Sequence, residues 1–399
     1  MYKRFLWIVF VFFISFYISV VNAEELVKYA KSAILIEPST NTIVYESNSR
    51  EQLAPASMTK MMTMLLIMEA YDNGQFKMDD MVPISSNASS MGGSQLYLQE
   101  NTEIKVEELL KGIAIASGND AAVAMAEFIA GSTDEFVKMM NDKVIELNLS
   151  DTHFVNVHGL DEENHYSSSY DMAQIARELL KYPKILEYTS LYEDYLVKPD
   201  GSKIWLVNTN KLVRFYEGVD GLKTGYTSAA KYCLTATGTK NNIRFISVVM
   251  GVDTGEHRSY DTTTLLNYGF NTYKLNSILK QGDVVDEVKV SKGVKSKISM
   301  VISEDINDLV KKNEVKEYHY NITKLNVKAP VSKGDVVGII EVVANDGKVV
   351  KKIDLVSNEN VKKQSFGSLF KKFFLKNIRG YWVSFFMLFY LIIWYNFRE

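Results

Sequence analysis

The stretch LAPASMTKMMT, residues 53–63, is the most informative part of the sequence, because Ser57 and Lys60 lie three residues apart at the start of a predicted helix. Residues at this spacing share one face of a helix, and the backbone N–H groups at a helix start favour negative charge. A serine nucleophile needs a base, and a lysine can serve when its amine is unprotonated. Since the ordinary pKa of lysine is about 10.4, such a site has to lower it, as burial beside a second cation would.

Two further motifs follow along the chain. Ser117-Gly118-Asn119 comes after the apolar run GIAIA, and Lys223-Thr224-Gly225 lies in a predicted strand, GLKTGYT. Ser-x-x-Lys occurs at three other places and Ser-x-Asn recurs at residues 85–87, whereas Lys-Thr-Gly occurs once. Each of the first two motifs is weak by itself. All three in this order, separated by 60 and 106 residues, are hard to obtain by chance.

Apolar periodicity predicts an α+β fold. Residues 33–46 form two apolar runs around a Ser-Thr-Asn turn, which is typical of a β-hairpin. Helical spacing extends over residues 57–71, 104–150 and 170–181, and the pattern changes to strands over residues 219–252. Helices bracketed by strands at both ends of one segment predict a single sheet that joins the N- and C-terminal strands.

Composition divides the chain into four parts. Residues 1–23 have a basic start, an apolar run and the small-residue site Val21-Asn22-Ala23, which predicts a cleaved signal peptide, with an uncleaved anchor helix as the alternative. A main, catalytic domain would cover residues 24–276. Short alternating strands then predict a small all-β domain over residues 277–362. The remaining residues, 363–399, are predicted to attach the protein to a membrane.

The C-terminal segment has the pattern of a basic amphipathic helix followed by an apolar stretch. From Phe366, aromatic residues recur at helical spacing with lysines between them, which suits an anionic membrane surface. Residues 381–397 carry no charge and would form a helix of about 25 Å, slightly shorter than the roughly 30 Å hydrocarbon core. Spanning and interfacial binding are both compatible with this length. We therefore expect an exported protein, held at the outer face of the cytoplasmic membrane.

Charge and the rare residue types exclude several kinds of site. The ends, residues 1–23 and 366–399, contain seven of the 45 basic residues but one of the 48 acidic ones, so the body is acidic. An acidic body on a basic tail argues against nucleic acid as a partner. The single cysteine, Cys233, excludes an intramolecular disulfide and is typical of a buried strand thiol. His153 and His158 hint at a metal site, but without an HExxH motif a structural role is favoured.

In its three motifs the chain resembles the penicillin-binding proteins and serine β-lactamases, which share this order of Ser-x-x-Lys, Ser-x-Asn and Lys-Thr-Gly. It is more narrowly similar to the low-molecular-mass D-alanyl-D-alanine carboxypeptidases in LAPASMTKMMT, IASGNDAAVAMAE, NVHGLDEENHYSSSYDMA and GEHRSYDTTTLLNYGF. The resemblance covers roughly residues 25–275. It implies a β-lactamase/penicillin-binding-protein-like catalytic domain, an antiparallel sheet flanked by helices, followed by the small all-β domain and a C-terminal membrane-associated helix.

The resemblance also implies a role for each residue of the first two motifs. Ser57 would attack the carbonyl between the two terminal D-alanines of the substrate, and Lys60 would take its proton. Ser117 would pass a proton to the leaving amine. Asn119 would orient the substrate amide.

The third motif is implied to bind the terminal carboxylate of the substrate. Lys223 would supply positive charge, Thr224 would bind the carboxylate, and Gly225 would let the strand approach the ligand. The N–H groups of the nucleophilic serine and of Tyr226 would form the oxyanion hole. Arg258 matches a family arginine near the carboxylate, with an ordinary surface salt bridge as the alternative.

The implied function is removal of the terminal D-alanine from peptidoglycan pentapeptides through a Ser57 acyl-enzyme, without metal or cofactor and with inhibition by β-lactams. A β-lactamase and a non-catalytic penicillin-binding sensor or scaffold are the alternatives. The middle motif is Ser-Gly-Asn, and no Glu-x-x-Leu-Asn pattern presents a deacylating glutamate, so rapid penicillin hydrolysis is not expected. Glu162 and Glu163 are expected to be solvated.

Overall fold

The structure, a computed structural model, describes residues 26–198, 200–365 and 390. The chain divides into two compact units, Met1–Tyr273 and Lys274–Glu399. The division comes three residues before the boundary drawn from the sequence, because strand β10 (Tyr273–Leu279) directly follows a helix and pairs with a strand of the second unit. The predicted signal peptide and most of the predicted membrane segment lie outside the described residues. Within those residues, no helix has both the length and the apolar character needed to cross a bilayer.

An antiparallel sheet forms the centre of the first unit. It consists of β1 (Ser32–Glu37), β2 (Thr42–Ser47), β7 (Val219–Thr227), β8 (Lys231–Lys240) and β9 (Ile243–Val252), in the order β2-β1-β9-β8-β7. The N-terminal hairpin pairs directly with the C-terminal strands, which confirms the predicted α+β arrangement. Two short pairs lie outside this sheet, β3 (Met81–Pro83) with β4 (Glu103–Lys105) and β5 (Glu193–Val197) with β6 (Lys203–Val207).

Some helices of the first unit lie in the segments that show helical periodicity, and others lie outside them, among them the long helix that follows the strands of residues 219–252. In chain order they are α1 (Lys60–Asp72), α2 (Ser86–Ser89), α3 (Val106–Ala116), α4 (Asn119–Ala130), α5 (Thr133–Glu146), α6 (Ser169–Leu179), α7 (Leu186–Thr189), α8 (Leu212–Phe215) and α9 (Gly255–Thr272). Two 3-10 turns, Ala56–Thr59 and Pro183–Ile185, precede α1 and α7.

Helix α1 is the most buried helix of this unit. Its methionines Met61, Met62 and Met64 are completely buried. Its leucine and isoleucine side chains are also buried. A helix that is apolar all round belongs in the interior of a domain, where methionine fills irregular space. Because Ser57 and Lys60 stand at the start of this helix, its packing holds both residues in place.

The second unit is built from strands. β11 (Val284–Ser291), β12 (Lys297–Ile302), β14 (Tyr318–Lys324), β15 (Val327–Lys328), β16 (Val336–Ala344) and β17 (Val349–Ser357) form a sheet in the order β14-β16-β17-β12-β11-β15. β10 pairs separately with β13 (Ile306–Lys311). Between residues 274 and 365 there is no helix, and the core consists of alternating strand residues such as Val288, Met300 and Leu355. The predicted all-β unit is confirmed.

Candidate active site

Ser57 and Lys60 are in hydrogen-bond contact. Ser57 lies in the 3-10 turn that leads into α1, after Ala56, whose φ of 46° is unusual for a residue with a side chain. The Lys60 Nζ lies 3.1 Å from Ser57 Oγ. Ser57 is partly exposed, whereas Lys60 is completely buried. The hydroxyl is therefore open to a ligand while the amine is shielded from water.

Two carbonyl oxygens accept hydrogen bonds from the Lys60 amine. Nζ donates to Asn119 Oδ1 at 2.6 Å and to the backbone carbonyl of His158 at 2.7 Å. A neutral amine has two N–H bonds and one lone pair. With both N–H bonds used by these acceptors, the lone pair is left for the Ser57 hydroxyl.

The surroundings of Lys60 favour this neutral form. Its pKa lies well below the ordinary lysine value, first because burial disfavours the cation and second because the charge of Lys223 repels it. The carboxylate of Asp120 acts in the opposite direction and raises the pKa. The condition that the sequence sets for a lysine base, burial beside a second cation, is met.

The second motif joins helices α3 and α4. Ser117 has a left-handed backbone (φ 65°, ψ 31°) at the end of α3, and Asn119 begins α4. The Ser117 hydroxyl is buried and has no hydrogen-bond partner among the described residues. Such groups are rare in folded proteins because each lost hydrogen bond costs free energy, so a ligand or solvent partner is expected there. Asn119 Nδ2 donates to the Gly92 carbonyl at 2.7 Å, which leaves Oδ1 for the lysine.

Asp120 is part of this site, although sequence reasoning missed it. Its Oδ2 atom accepts hydrogen bonds from the backbone N–H groups of Leu96 at 2.8 Å and Leu98 at 3.2 Å. It therefore holds the loop before β4 against the first turn of α4. Tyr97, between the two leucines, has a φ of 54° and a side chain that is 75% exposed. The one sequence signal for Asp120 was its position directly after Ser-Gly-Asn, in the first turn of a helix, where a negative charge is favourable.

Replacing Asp120 by asparagine should change both stability and pH dependence. One carboxylate oxygen becomes an NH₂ group, so a buried backbone N–H loses its acceptor, at a cost of about 1–3 kcal/mol in the free energy of unfolding. The lost negative charge also lowers the pKa of Lys60 further, because Asp120 raises it. We expect the acidic limb of the penicillin acylation rate to move to lower pH. Asp253→Asn, at an exposed carboxylate, is the control and should leave that limb unchanged.

The third motif lies on β7. Lys223 is buried, and burial first and the charge of Arg258 second lower its pKa to about 7. Its Nζ donates to the Thr224 carbonyl at 3.2 Å. The Thr224 hydroxyl donates to Thr209 Oγ1 at 2.6 Å, and Thr209 N–H donates to the carbonyl of Ile115, two residues before the second motif. Thr209 belongs to no motif, yet it connects the second and third motifs.

Gly225 allows β7 to lie directly against the turn that carries the serine. A Cβ atom at this position would be 2.7 Å from the Pro55 carbonyl oxygen, 3.1 Å from the Ala56 Cβ and 3.3 Å from the Ser57 backbone nitrogen. Glycine is needed at position 225 because the two segments approach closely, and not because of backbone conformation, since the φ of Gly225 is not in the left-handed region. The two N–H groups predicted for the oxyanion hole, those of Ser57 and Tyr226, come from these two adjoining segments.

Gly225→Ala should therefore damage the site more than the size of a methyl group suggests. The strand has to move away from the serine turn, and loss of one oxyanion-hole donor typically lowers kcat about 10²- to 10³-fold. Overpacking of this kind costs about 1–3 kcal/mol in the free energy of unfolding. Gly255→Ala is a matched control, because a Cβ there meets the Tyr232 ring at an ordinary 3.6 Å. Equal acylation rates for the two variants would contradict the role given to Gly225.

Arg258 and Tyr226 lie at the edge of the same site. Arg258 projects from α9, its Nε is buried, and it has no hydrogen-bond partner among the described residues. No aspartate or glutamate of the described chain pairs with its guanidinium, so the surface salt-bridge alternative finds no support. Its charge reaches Lys223, whose pKa it lowers. The Tyr226 side chain is 56% exposed and its ring lies 4.4 Å from that of Tyr232.

The loop that contains HGLDEENH contacts Lys60 through a backbone carbonyl and not through a histidine ring. The His158 carbonyl binds Lys60, while the His158 ring accepts from the Leu160 N–H at 3.2 Å. Gly159 follows with φ 88°, and a Cβ there would lie 1.9 Å from the Ala56 carbonyl oxygen. His165 Nε2 lies 2.8 Å from Thr59 Oγ1. This loop therefore also packs against the serine turn, a contact between residues about a hundred positions apart.

The other residues that the sequence analysis considered, two of them as possible metal or nucleophile sites, have no catalytic surroundings among the described residues. His153 Nδ1 lies 2.8 Å from the carbonyl of Asn164, and no group of three potential metal ligands occurs among the described residues. Cys233 is buried in β8, and burial raises the pKa of its thiol to about 11, which makes it a poor nucleophile. Glu162 and Glu163 are exposed, as expected.

Two sequence profiles of protein families match the chain. Residues 19–254 match the family described as D-alanyl-D-alanine carboxypeptidase, and residues 273–363 match the C-terminal domain of penicillin-binding protein 5. Arg258 lies between the two matched ranges. The chain is 51% identical to D-alanyl-D-alanine carboxypeptidase DacF of Bacillus subtilis over 366 residues, which cover 91% of this chain and 92% of that protein.

Solved structures of similar proteins have the same fold. Penicillin-binding protein 5 from Haemophilus influenzae superimposes with a TM-score of 0.71 at 33% identity and covers 84% of this chain and 98% of its own. Penicillin-binding protein D2 from Listeria monocytogenes, in an ampicillin-bound form, superimposes with a TM-score of 0.55 at 31% identity and covers 60% of this chain and 97% of its own.

Proposed function

The chain belongs to the D-alanyl-D-alanine carboxypeptidase family and is a serine peptidase of that kind, and on this premise we propose that Ser57 is its nucleophile and Lys60 its general base. The observation that carries this proposal is the Lys60 amine, which is completely buried, has a depressed pKa and lies 3.1 Å from Ser57 Oγ. A positioned base of this kind contributes typically about 10²- to 10⁴-fold to rate. The family assignment favours this function over a β-lactamase or a sensor.

In the acylation step, Ser57 Oγ bonds to the carbonyl carbon between the two terminal D-alanines while its proton passes to Lys60 Nζ. The carbonyl oxygen becomes an oxyanion, which the N–H groups of Ser57 and Tyr226 stabilise. Gly225 supports this arrangement, because it lets the two segments that carry these donors lie in contact.

The leaving amine then needs a proton. Collapse of the tetrahedral intermediate breaks the C–N bond, and the proton held by Lys60 passes through the Ser117 hydroxyl to the departing D-alanine. The absence of any other partner for that hydroxyl among the described residues supports this role. Water then attacks the Ser57 ester, with Lys60 again as base, and releases the shortened peptide.

The substrate carboxylate is bound by the residues around β7. Lys223 and Arg258 supply positive charge. The Thr224 hydroxyl has one proton, so it donates to the bound carboxylate in place of Thr209 Oγ1, and the Thr209 hydroxyl then donates to Thr224 Oγ1. Burial and the charge of Arg258 lower the Lys223 pKa to about 7. A bound carboxylate raises the pKa of a neighbouring cation, so Lys223 is charged when the substrate is present. Above pH 7 the free enzyme loses this charge, and we expect KM to rise there while kcat changes less.

We also propose that the protein is exported and acts at the outer face of the cytoplasmic membrane, attached by residues 366–399. The signal-like pattern of residues 1–23 and the basic, aromatic pattern of the C-terminal segment support this location. Removal of residues 366–399 should release active enzyme from the membrane fraction. A truncated protein that still sediments with membranes would contradict the proposed anchor.

A comparison of two substrates tests the function. Purified full-length protein should release D-alanine from a pentapeptide and should form a slowly released one-to-one adduct with penicillin. Rapid penicillin turnover without D-alanine release would favour a β-lactamase. A stable adduct with no release of D-alanine would favour a sensor.

A further inference from the structure

The hairpin formed by β5 and β6 has one buried and one exposed face. Leu196 and Leu206 face the core and are almost completely buried. Helix α3 holds this side, because Lys111 forms an ion pair with Asp194 at 3.0 Å and Glu108 accepts a hydrogen bond from the Val197 N–H at 2.8 Å. The hairpin is therefore fastened to the same helix that leads into Ser117.

The other face of the hairpin presents two aromatic rings to solvent. Tyr195 and Trp205 are direct cross-strand partners, so their side chains lie next to each other on one face. Tyr195 is 50% and Trp205 is 59% exposed. The next pair on this face is Val197 with Lys203, and Lys203 Nζ lies 5.9 Å from the centroid of the Tyr195 ring. A contiguous exposed aromatic surface of this kind marks an interaction site more often than scattered apolar residues do.

The hairpin that carries this surface leads directly into residues that contact the third motif. The hairpin ends at Val207, and two residues later Thr209 accepts a hydrogen bond from Thr224 of the third motif at 2.6 Å. The segment after the hairpin is also held by Asn210, whose Nδ2 donates to the carbonyl of Gly221 on β7 at 3.0 Å. The aromatic face therefore lies on a hairpin that is joined, through Thr209, to the cleft that is proposed to hold the D-alanyl-D-alanine end of the substrate.

The length of the substrate fits this spacing. Trp205 is four positions before Thr209 in the chain, so it lies at most about 14 Å from this residue of the carboxylate-binding region. An extended five-residue stem peptide spans at most about 18 Å. Because the stem peptide of peptidoglycan is attached to an amino sugar of the glycan strand, that sugar can reach the hairpin while the far end of the stem occupies the cleft.

We propose that the exposed face of this hairpin, with Tyr195 and Trp205 at its centre, binds the sugar rings of the glycan strand that carries the stem peptide. The C–H faces of pyranose rings pack on the faces of aromatic side chains, which combine apolar area with polar edges. Lys203, and Glu193 on the same face, supply hydrogen-bonding groups for hydroxyl and N-acetyl substituents. The inference rests on the proposed function, since the glycan reaches the hairpin only when its stem is in the cleft.

Two substrates with the same peptide test this proposal. One is the free pentapeptide, and the other is the same pentapeptide attached to its N-acetylglucosamine–N-acetylmuramic acid disaccharide. For the full-length wild type we expect kcat/KM to be five- to tenfold higher on the disaccharide form. Trp205→Ala should remove this preference and leave kcat/KM on the free peptide unchanged. Tyr320→Ala, at a 46% exposed tyrosine on β14 of the second unit, is the matched control and should keep the preference.

A second measurement uses fluorescence. The chain has four tryptophans, so a full-length variant with phenylalanine at positions 7, 382 and 394 retains Trp205 as its one tryptophan. With Ser57→Ala added to prevent turnover, the disaccharide-pentapeptide should change the Trp205 emission saturably, and the free pentapeptide should not.

Three results would overturn the inference. The first is equal kcat/KM on both substrates for the wild type, and the second is equal loss on both for Trp205→Ala. The third is a Trp205→Ala variant that keeps the disaccharide preference but loses binding to anionic phosphatidylglycerol vesicles, which would make the face a membrane contact. Failure of the proposed function looks different, because the wild type would then release D-alanine from neither substrate.

Discussion

Alanine at position 57 should abolish D-alanine release and penicillin acylation together. Removing the nucleophile leaves substrate binding and oxyanion stabilisation without covalent chemistry, so we expect kcat to fall by roughly 10⁴-fold or more. Ser57 is partly exposed, and within the described part of the chain its Oγ has one hydrogen-bond partner, Lys60, so the free energy of unfolding should change by less than about 1 kcal/mol. D-alanine release from a pentapeptide and thermal unfolding measure the two effects.

The chain offers a matched control for this substitution. Ser228 and Lys231 repeat the Ser-x-x-Lys spacing, but both side chains are exposed. Ser228→Ala should keep full activity. If Ser228→Ala were inactive and Ser57→Ala active, the spacing would have been assigned to the wrong copy.

Methionine at position 60 should have the second largest effect. It keeps the length and apolar stem of lysine but cannot accept a proton, so we expect kcat/KM to fall about 10²- to 10⁴-fold. The Asn119 Oδ1 atom and the His158 carbonyl lose their donor, which should cost about 1–3 kcal/mol in the free energy of unfolding. Lys231→Met, at the exposed second Ser-x-x-Lys sequence, is the control and should keep full activity.

The pH profile separates a base from a merely structural lysine. With Lys60 present, acylation should decrease as pH falls through its depressed pKa, because the protonated amine cannot accept the Ser57 proton. The residual acylation of Lys60→Met should lack this acidic limb. A variant that is slow but retains the wild-type limb would show that another group is the base.

Much of this site could be predicted from the sequence because its three motifs are local. Ser57 and Lys60 lie within one helical turn, so their spacing alone brings their side chains together. Lys223 to Gly225 are consecutive on one strand, so the whole motif is visible as one short stretch of sequence. The burial of α1 follows from its apolar residues on all sides, and the hairpin at residues 33–46 follows from its two apolar runs around a turn. Hydrophobic pattern and short-range geometry determine these features.

The residues that the sequence did not reveal act over long separations. Asp120 acts through the backbone of Leu96 and Leu98, and backbone N–H groups leave no trace in a sequence. His158 contributes its carbonyl to Lys60 across 98 positions. Thr209 meets Thr224 because β6 and β7 approach the same cleft. Each of these contacts depends on the assembled tertiary structure.

The identity of the nucleophile is the central claim, and mass spectrometry of a penicillin-treated digest tests it most directly. Trypsin cleaves after Arg50 and Lys60 and gives the peptide EQLAPASMTK, in which Ser57 is the one serine. We predict that this peptide gains the mass of one penicillin and that fragmentation places the adduct on Ser57. An adduct on any other peptide, with residues 51–60 unmodified, would contradict the account.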